Sequence, residues 1–231
     1  MAAGDATLGP FLIIGAGGHG ACLAEVLDSV GAEILGFVDP SPVAPSMHMG
    51  LPVQAELPRD HLDRGRPIAL GVGDNYGRYA LHQSLIQQGA TDAHFPAVAH
   101  RDSSVSSFAT LGPGSFVFQG ANVGPEARIG RFCVLATGAT ATHHSVMADY
   151  SFVAVRAVLG ASSLGERSFV GLGAVVHQGI TIGSDVVVGA QSFVRDDIEN
   201  QAVAHGVPAQ VRRTRAVDEP YLGIRVSRLS G

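Results

Sequence analysis

Two adjacent histidines, His143 and His144, stand at the centre of the segment Ala141-Thr142-His143-His144-Ser145-Val146. An imidazole titrates near neutrality, so it suits a general base that takes a proton from an attacking amine. A reaction run by such a base also needs a donor for any developing oxyanion and exclusion of water. A metal reading fails on spacing, because no Cys lies nearby and no H-x-x-x-H pattern completes a ligand set. Paired histidines could instead decorate an exposed face. His177 and His205 are weaker rivals for the base, and surface positions account for His48, His61, His82 and His94. All fifteen basic residues are Arg, which removes P-loop lysine, Schiff-base and lysine-base chemistry.

A second cluster is Gly15-Ala16-Gly17-Gly18-His19-Gly20. It follows the apolar run Phe11–Ile14 and leads into the helical pattern Cys22, Leu23, Val26, Leu27, Val30. A second run, Ile34–Val38, ends at Asp39, about twenty residues beyond the loop, where a ribose or base contact is expected. A third, Ile68–Val72, ends at Gly73-Asp74-Asn75 and is followed by a helix from Tyr76 to about Gln88. Strand, glycine turn, helix, strand and acid make half of a Rossmann-like βαβ unit. Glycines let the backbone approach a phosphate, whose charge a helix N-terminus favours. Three readings follow: a nucleotide or nucleotide-sugar ligand, NAD (Gly15, Gly17 and Gly20 fit G-x-G-x-x-G), or a purely structural turn. The region ends near residue 100, too short for a full dinucleotide domain with a substrate domain attached.

The histidines themselves belong to a repeat. Steps of six from Val105 give Leu111, Val117, Val123, Ile129, Leu135, Ala141, Met147, Val153 and Leu159. After one five-residue step the register resumes at Leu164, Val170, Val176, Ile182, Val188 and Val194. Gly or Ala usually follows the anchor, and a small side chain stands four residues after it in the first twelve hexads. Such columns stack aliphatic residues coil upon coil, with short parallel strands about 4.8 Å apart and small residues at tight corners. A Gly-rich antiparallel domain would alternate with period two instead. Ala141, the one small anchor, belongs to the histidine hexad, and a broken local rule is where function is sought.

Composition narrows the classes further. A net charge of −5 provides no footprint for nucleic acid, and no apolar run approaches the ~20 residues of a membrane span. Met1–Pro10 lacks the features of a signal peptide. Two distant cysteines, Cys22 and Cys133, fit a reducing cytoplasm rather than a disulfide framework.

Taken together, GAGGHG, FVDP, GVGDN, a hexapeptide helix containing THHSVMADYSFV, and a closing GVPAQVRR resemble the bacterial nucleotide-sugar acyltransferases. These include N-acetyltransferases of UDP- or GDP-linked 4-amino-deoxysugars and related sialic acid O-acetyltransferases. The resemblance runs from about Phe11 to Arg213. It implies an α/β nucleotide-sugar-binding domain (1–97), a left-handed parallel β-helix of about five coils with three hexads each (98–213), and an extension (214–231) of no assigned role. It also implies a homotrimer with active sites between subunits, acetyl-CoA as co-substrate and no metal. His143, His144 and Ala161 form the expected catalytic set, with His143 as base and the Ala161 N–H bonding the thioester carbonyl. Gly15, Gly17, Gly18, His19, Asp39, Gly73, Asp74 and Asn75 are expected around the substrate, His19 near the sugar amine in the neighbouring subunit's site. Gly173 and Ala190, with Ala161, are expected along CoA.

Two departures stand out. The position after the catalytic histidine is usually acidic in the family; His144 occupies it here, so a carboxylate from elsewhere, such as Asp149, or a backbone carbonyl is expected to orient His143. The five-residue step also shortens the stretch around Ala161. The expected function is N-acetylation of a nucleotide-linked amino-deoxysugar. The alternatives are O-acetylation of a free sugar such as sialic acid, and a non-catalytic trimeric scaffold.

Overall fold

A computed structural model describes residues 8–41 and 43–221. The chain opens with strand β1 (Phe11–Ile14), helix α1 (Gly18–Ser29) and β2 (Ile34–Val38). A short hairpin of β3 (Met47–His48) and β4 (Leu51–Gln54) follows, then α2 (Arg59–Asp63), β5 (Ile68–Leu70) and α3 (Asn75–Gln87). The strands form one sheet in the order β3-β4-β2-β1-β5. All its pairings are parallel except that of the edge hairpin. β1 and β5 are buried throughout, as continuous apolar runs in a covered parallel sheet should be.

From Val98 onward two-residue strands recur in three parallel sheets, each pairing with the strand one coil away. The partners stand three hexads apart, as in Asn122 with Thr140, until the five-residue step shortens one coil by a single position, as in Val146 with Ser163. This is a three-sided parallel β-helix. Its first face carries Val98–Ala99, Phe116–Val117, Val134–Leu135, Phe152–Val153, Phe169–Val170 and Val187–Val188. The second runs from Ser104–Val105 to Phe193–Val194, and the third from Thr110–Leu111 to Thr181–Ile182. Five coils are complete, and Val187–Val188 begins a sixth. The strand Ala202–Gly206 continues the first face, and Ala209–Thr214 folds back against it antiparallel.

The hexad columns fill the prism. Anchors such as Leu135, Ala141, Val153 and Leu159 are fully buried, together with the small corner residues Ala127, Cys133, Ala139 and Ala157. Outside, the residue preceding the anchor on the first face is apolar, and Phe116, Val134, Phe152 and Phe169 share one buried cluster with Leu23, Val26 and Leu27 of α1. The sheet domain therefore sits on the first face. Its other side buries Leu85, Phe95, Phe132 and Tyr150 in one cluster with β1 and β5.

Candidate active site

His143 and His144 project from the corner between the second and third faces, between strands Thr140–Ala141 and Val146–Met147. Both are exposed. His144 takes a left-handed φ of 58°, and its N–H donates to the Pro125 carbonyl of the preceding coil at 3.0 Å. The two imidazoles meet Nδ1 to Nδ1 at 3.0 Å, with their rings nearly perpendicular at 86°. The far side of His144 reaches a carboxylate, with Nε2 at 3.1 Å from Glu126 Oε2.

Asp149, the carboxylate expected from sequence, does not take this part. Its Oδ1 accepts the backbone N–H of Arg131 at 2.8 Å, which ties it to the preceding coil. Ala161 occupies the same corner one coil beyond His144, with φ of 43°. Its N–H is already engaged, donating to Thr142 Oγ1 at 2.7 Å.

The glycine loop forms a separate cluster. Gly15 has φ of 110°, and a Cβ there would lie 2.7 Å from the Gly71 carbonyl oxygen. A Cβ on Gly20 would lie 2.1 Å from the Gly15 carbonyl oxygen, so the crossing of β1, α1 and β5 itself demands both glycines. Gly17 and Gly18 differ: a Cβ on either would meet nothing within 4 Å, and the N-terminus of α1 has no side-chain cap. The Asp39 carboxylate accepts from Ala16 N and from Ser41 N, each at 3.0 Å, and holds the loop against the end of β2.

His19 stands between Phe118 and Phe152, each ring 5.9 Å away, with its Nε2 enclosed and unpartnered. Burial, and secondarily the charge of Arg78, push its pKa down to about 3, so the ring is neutral. These residues line an apolar groove of about 320 Å³ that also takes in Gly18, Gly73, Leu172 and Tyr221. Tyr221, from the extension, stacks on Phe169 and donates to the Gly73 carbonyl at 2.9 Å; residues beyond it lie outside the described part of the chain.

The segment 72–75 is anchored from behind by Arg78, which is fully buried. Its guanidinium donates to the carbonyls of Val72, Gly73, Phe132 and Tyr150 and to Asn75 Oδ1, at 2.8–3.1 Å. The Asn75 amide in turn donates to the Arg167 and Ser168 carbonyls of the β-helix. Asp74 accepts from Gly77 N at 2.8 Å and caps α3. The side chains of Asp74 and Asn75 thus have structural partners, and Gly73 alone of the three lines the groove. Gly173 and Ala190 occupy successive coils at the corner between the first and second faces, beside the groove. Gly173 takes a left-handed φ of 64°, and a Cβ there would meet only the movable amide of Gln191.

Three histidines read as surface residues are buried instead. His61 bonds the Pro67 carbonyl, His82 the Tyr150 hydroxyl and His94 the Leu62 carbonyl. Each packs a turn or helix of the sheet domain, for which a hydrogen-bonded imidazole serves as well as an apolar ring.

Residues 11–85 match the family described as the PglD N-terminal domain. PerB from Caulobacter crescentus, solved with CoA and GDP-perosamine, is 30% identical, with a TM-score of 0.81 over 89% of this chain and 98% of that one. The chain belongs to the nucleotide-sugar N-acetyltransferases of the hexapeptide-repeat superfamily. The acetyltransferase domain of PglB from Neisseria gonorrhoeae is 28% identical, with a TM-score of 0.79 over 88% of this chain and 99% of that domain. The bifunctional protein GlmU of Oleidesulfovibrio alaskensis is 27% identical over 157 residues, 58% of this chain. The chain spans about a third of the length of that curated relative.

Within one chain of this acetyltransferase the predicted residues form two groups. His143, His144 and Ala161 share one corner of the prism. Gly15, Gly17, Gly18, His19, Asp39 and Gly73 gather over the face opposite that corner, so a single chain does not bring the groups together. Among the described residues no helix is long and apolar enough to cross a membrane, and no group of three or more His, Cys, Asp or Glu is placed to hold a metal. Glu126 and Thr142 were not singled out in the sequence. A step of three hexads back from His144 would have found the first.

Proposed function

We propose that the enzyme transfers the acetyl group of acetyl-CoA to the amine of a UDP- or GDP-linked amino-deoxysugar, with His143 as general base. The observation that carries this reading is the separation just described. An exposed histidine corner and an open glycine loop lie on opposite sides of one prism, so a site containing both needs a neighbouring copy. This supports a homotrimer in which the loop of one subunit faces His143 of the next, built on a Rossmann-like domain (1–97) and a left-handed β-helix (98–213). The free state of Cys22 and Cys133 supports work in the reducing cytoplasm.

Gly17 and Gly18 have room for phosphates at the uncapped start of α1, while Asp39 keeps the loop in place. The neutral His19 can donate or accept a hydrogen bond without repelling or attracting charge. The Asp74 and Asn75 side chains act on the substrate only indirectly, by fixing the backbone around Gly73. Acetyl-CoA supplies the acetyl group as a thioester when bound; Gly173 and Ala190 stand at a different corner from His143, so they would line it only from the neighbouring subunit. His143 takes the amine proton as the nitrogen attacks. The Ala161 N–H serves the thioester carbonyl only if it exchanges Thr142 Oγ1 for that oxygen, or shares it between the two.

The test is thiol release from acetyl-CoA with UDP- and GDP-linked 4-amino-sugars and with free sialic acid. Turnover on a nucleotide-linked amine, reduced ~10²–10⁴-fold in His143→Asn, is expected. Near-normal turnover by that variant would remove His143 as base. Turnover on sialic acid alone would favour O-acetylation, and binding of acetyl-CoA with no transfer to any acceptor would favour a scaffold.

A further inference from the structure

We propose that Glu126 is the carboxylate that orients the base, acting from the preceding coil through His144, so that Glu126, His144 and His143 form one hydrogen-bonded relay. The proposal rests on His143 being the base and adds the residues that position it.

Coil arithmetic places the parts. Glu126 and His144 are three hexads apart, one full coil, at the same corner, and both take left-handed φ values, 60° and 58°. The bond from His144 N to the Pro125 carbonyl fixes the two turns in register. Side chains leaving equivalent corners of successive coils start about 4.8 Å apart and run side by side. That is why the Glu126 carboxylate meets the His144 ring at 3.1 Å.

The bond pattern then assigns the protons. A carboxylate only accepts, so His144 Nε2 must carry the hydrogen that faces Glu126. In a neutral ring this leaves His144 Nδ1 as an acceptor. The 3.0 Å contact between the two Nδ1 atoms therefore has His143 as donor. With its proton on Nδ1, His143 presents a bare Nε2 lone pair outward, the form a general base needs. When Nε2 takes up the amine proton, the new positive charge is stabilised by His144 as acceptor and, beyond it, by the negative charge of Glu126. No proton need leave the relay, and no other carboxylate among the described residues bonds either histidine. A histidine where the family carries an acid is thereby accommodated: it extends the reach of a carboxylate held one coil away.

The experiment uses the full-length enzyme with its nucleotide-sugar acceptor and acetyl-CoA. Glu126→Gln keeps the shape and an acceptor oxygen but removes the charge. About a tenfold fall in kcat is expected, with KM little changed and thermal stability unaltered, since the side chain is exposed. The acidic limb of the pH profile should move to lower pH, because the lost negative charge no longer favours a positive charge on the relay. Adding His144→Glu to Glu126→Gln places a carboxylate directly beside His143 and should restore both kcat and the acidic limb. Unchanged kcat and pH profile in Glu126→Gln, while His143→Asn remains inactive, would overturn the relay and leave the base in place. Near-normal activity in His143→Asn would instead remove the base reading on which the relay rests.

Discussion

Replacing Arg78 with methionine should destabilise the protein far more than removing any surface arginine. The side chain is 1% exposed and donates five hydrogen bonds, four of them to backbone carbonyls that join the sheet domain to the β-helix. Methionine fills similar space without donors. The carbonyls of Val72, Phe132 and Tyr150 lose this partner, and the described backbone contacts give them no other. A buried polar group left without a partner costs about 1–3 kcal/mol. Relief of the desolvation that pulls the Arg78 pKa below its usual value offsets part of this. The net loss is about 3–5 kcal/mol. A chain of this size loses about 2–4 °C of Tm per kcal/mol, so Arg78→Met should melt roughly 6–20 °C lower by differential scanning fluorimetry. Arg78→Lys should fall between, since three donors cannot serve five acceptors. Arg64→Ala, which removes a pair with Asp60 more than half exposed on both sides, should shift Tm by less than about 2 °C. If Arg78→Met melted within about 2 °C of wild type, or Arg78→Lys matched it, the buried guanidinium would not be what joins the two halves.

Acid should weaken the fold before carboxylates titrate. His19 has a folded pKa of about 3 against about 6.5 unfolded, so the unfolded chain binds the extra proton between those values. Its contribution is complete above pH 6.5 and is lost as pH falls toward 3, by up to ~1.4 kcal/mol per unit. Burial shifts His61 and His82 the same way. Urea unfolding at pH 7 and pH 5 should show the loss, and His19→Gln should reduce it; equal slopes in both proteins would count against a neutral buried His19. Gly20→Ala should unfold or strongly destabilise the chain, because its Cβ would strike the Gly15 carbonyl. Gly17→Ala should melt normally yet bind UDP or GDP more weakly by calorimetry. Unimpaired nucleotide binding by Gly17→Ala would remove the loop from the phosphate site.

The repeat was legible because its columns are dictated by steric necessity at every coil: anchors such as Leu135 and Val153 point inward whatever the ligand does. A longer period runs through the same sequence. Phe116, Val134, Phe152, Phe169 and Val187 recur once per coil just before the anchor, and they mark the face on which the sheet domain rests. The sites were harder to read. Asp74 and Asn75 look like ligand contacts in sequence, but a helix cap and a docking amide use the same residue types. His61 and His94 are buried against backbone carbonyls, and His82 bonds the Tyr150 hydroxyl while packing on Phe132, so these polar residues enter the core without an apolar period to mark them. Asp149 lies close to His143 along the chain, whereas Glu126 lies close across the coil, and only the three-hexad pitch reveals the second.

The most direct test of the central claim is a crystal structure of the assembled enzyme with CoA and a UDP- or GDP-linked 4-amino-sugar. The sugar amine should lie within about 3 Å of His143 Nε2 from one subunit. The nucleotide phosphates should lie at Gly17 and Gly18 of its neighbour. A bound amino-sugar whose amine faces a different side chain, or whose phosphates avoid the glycine loop, would contradict that claim.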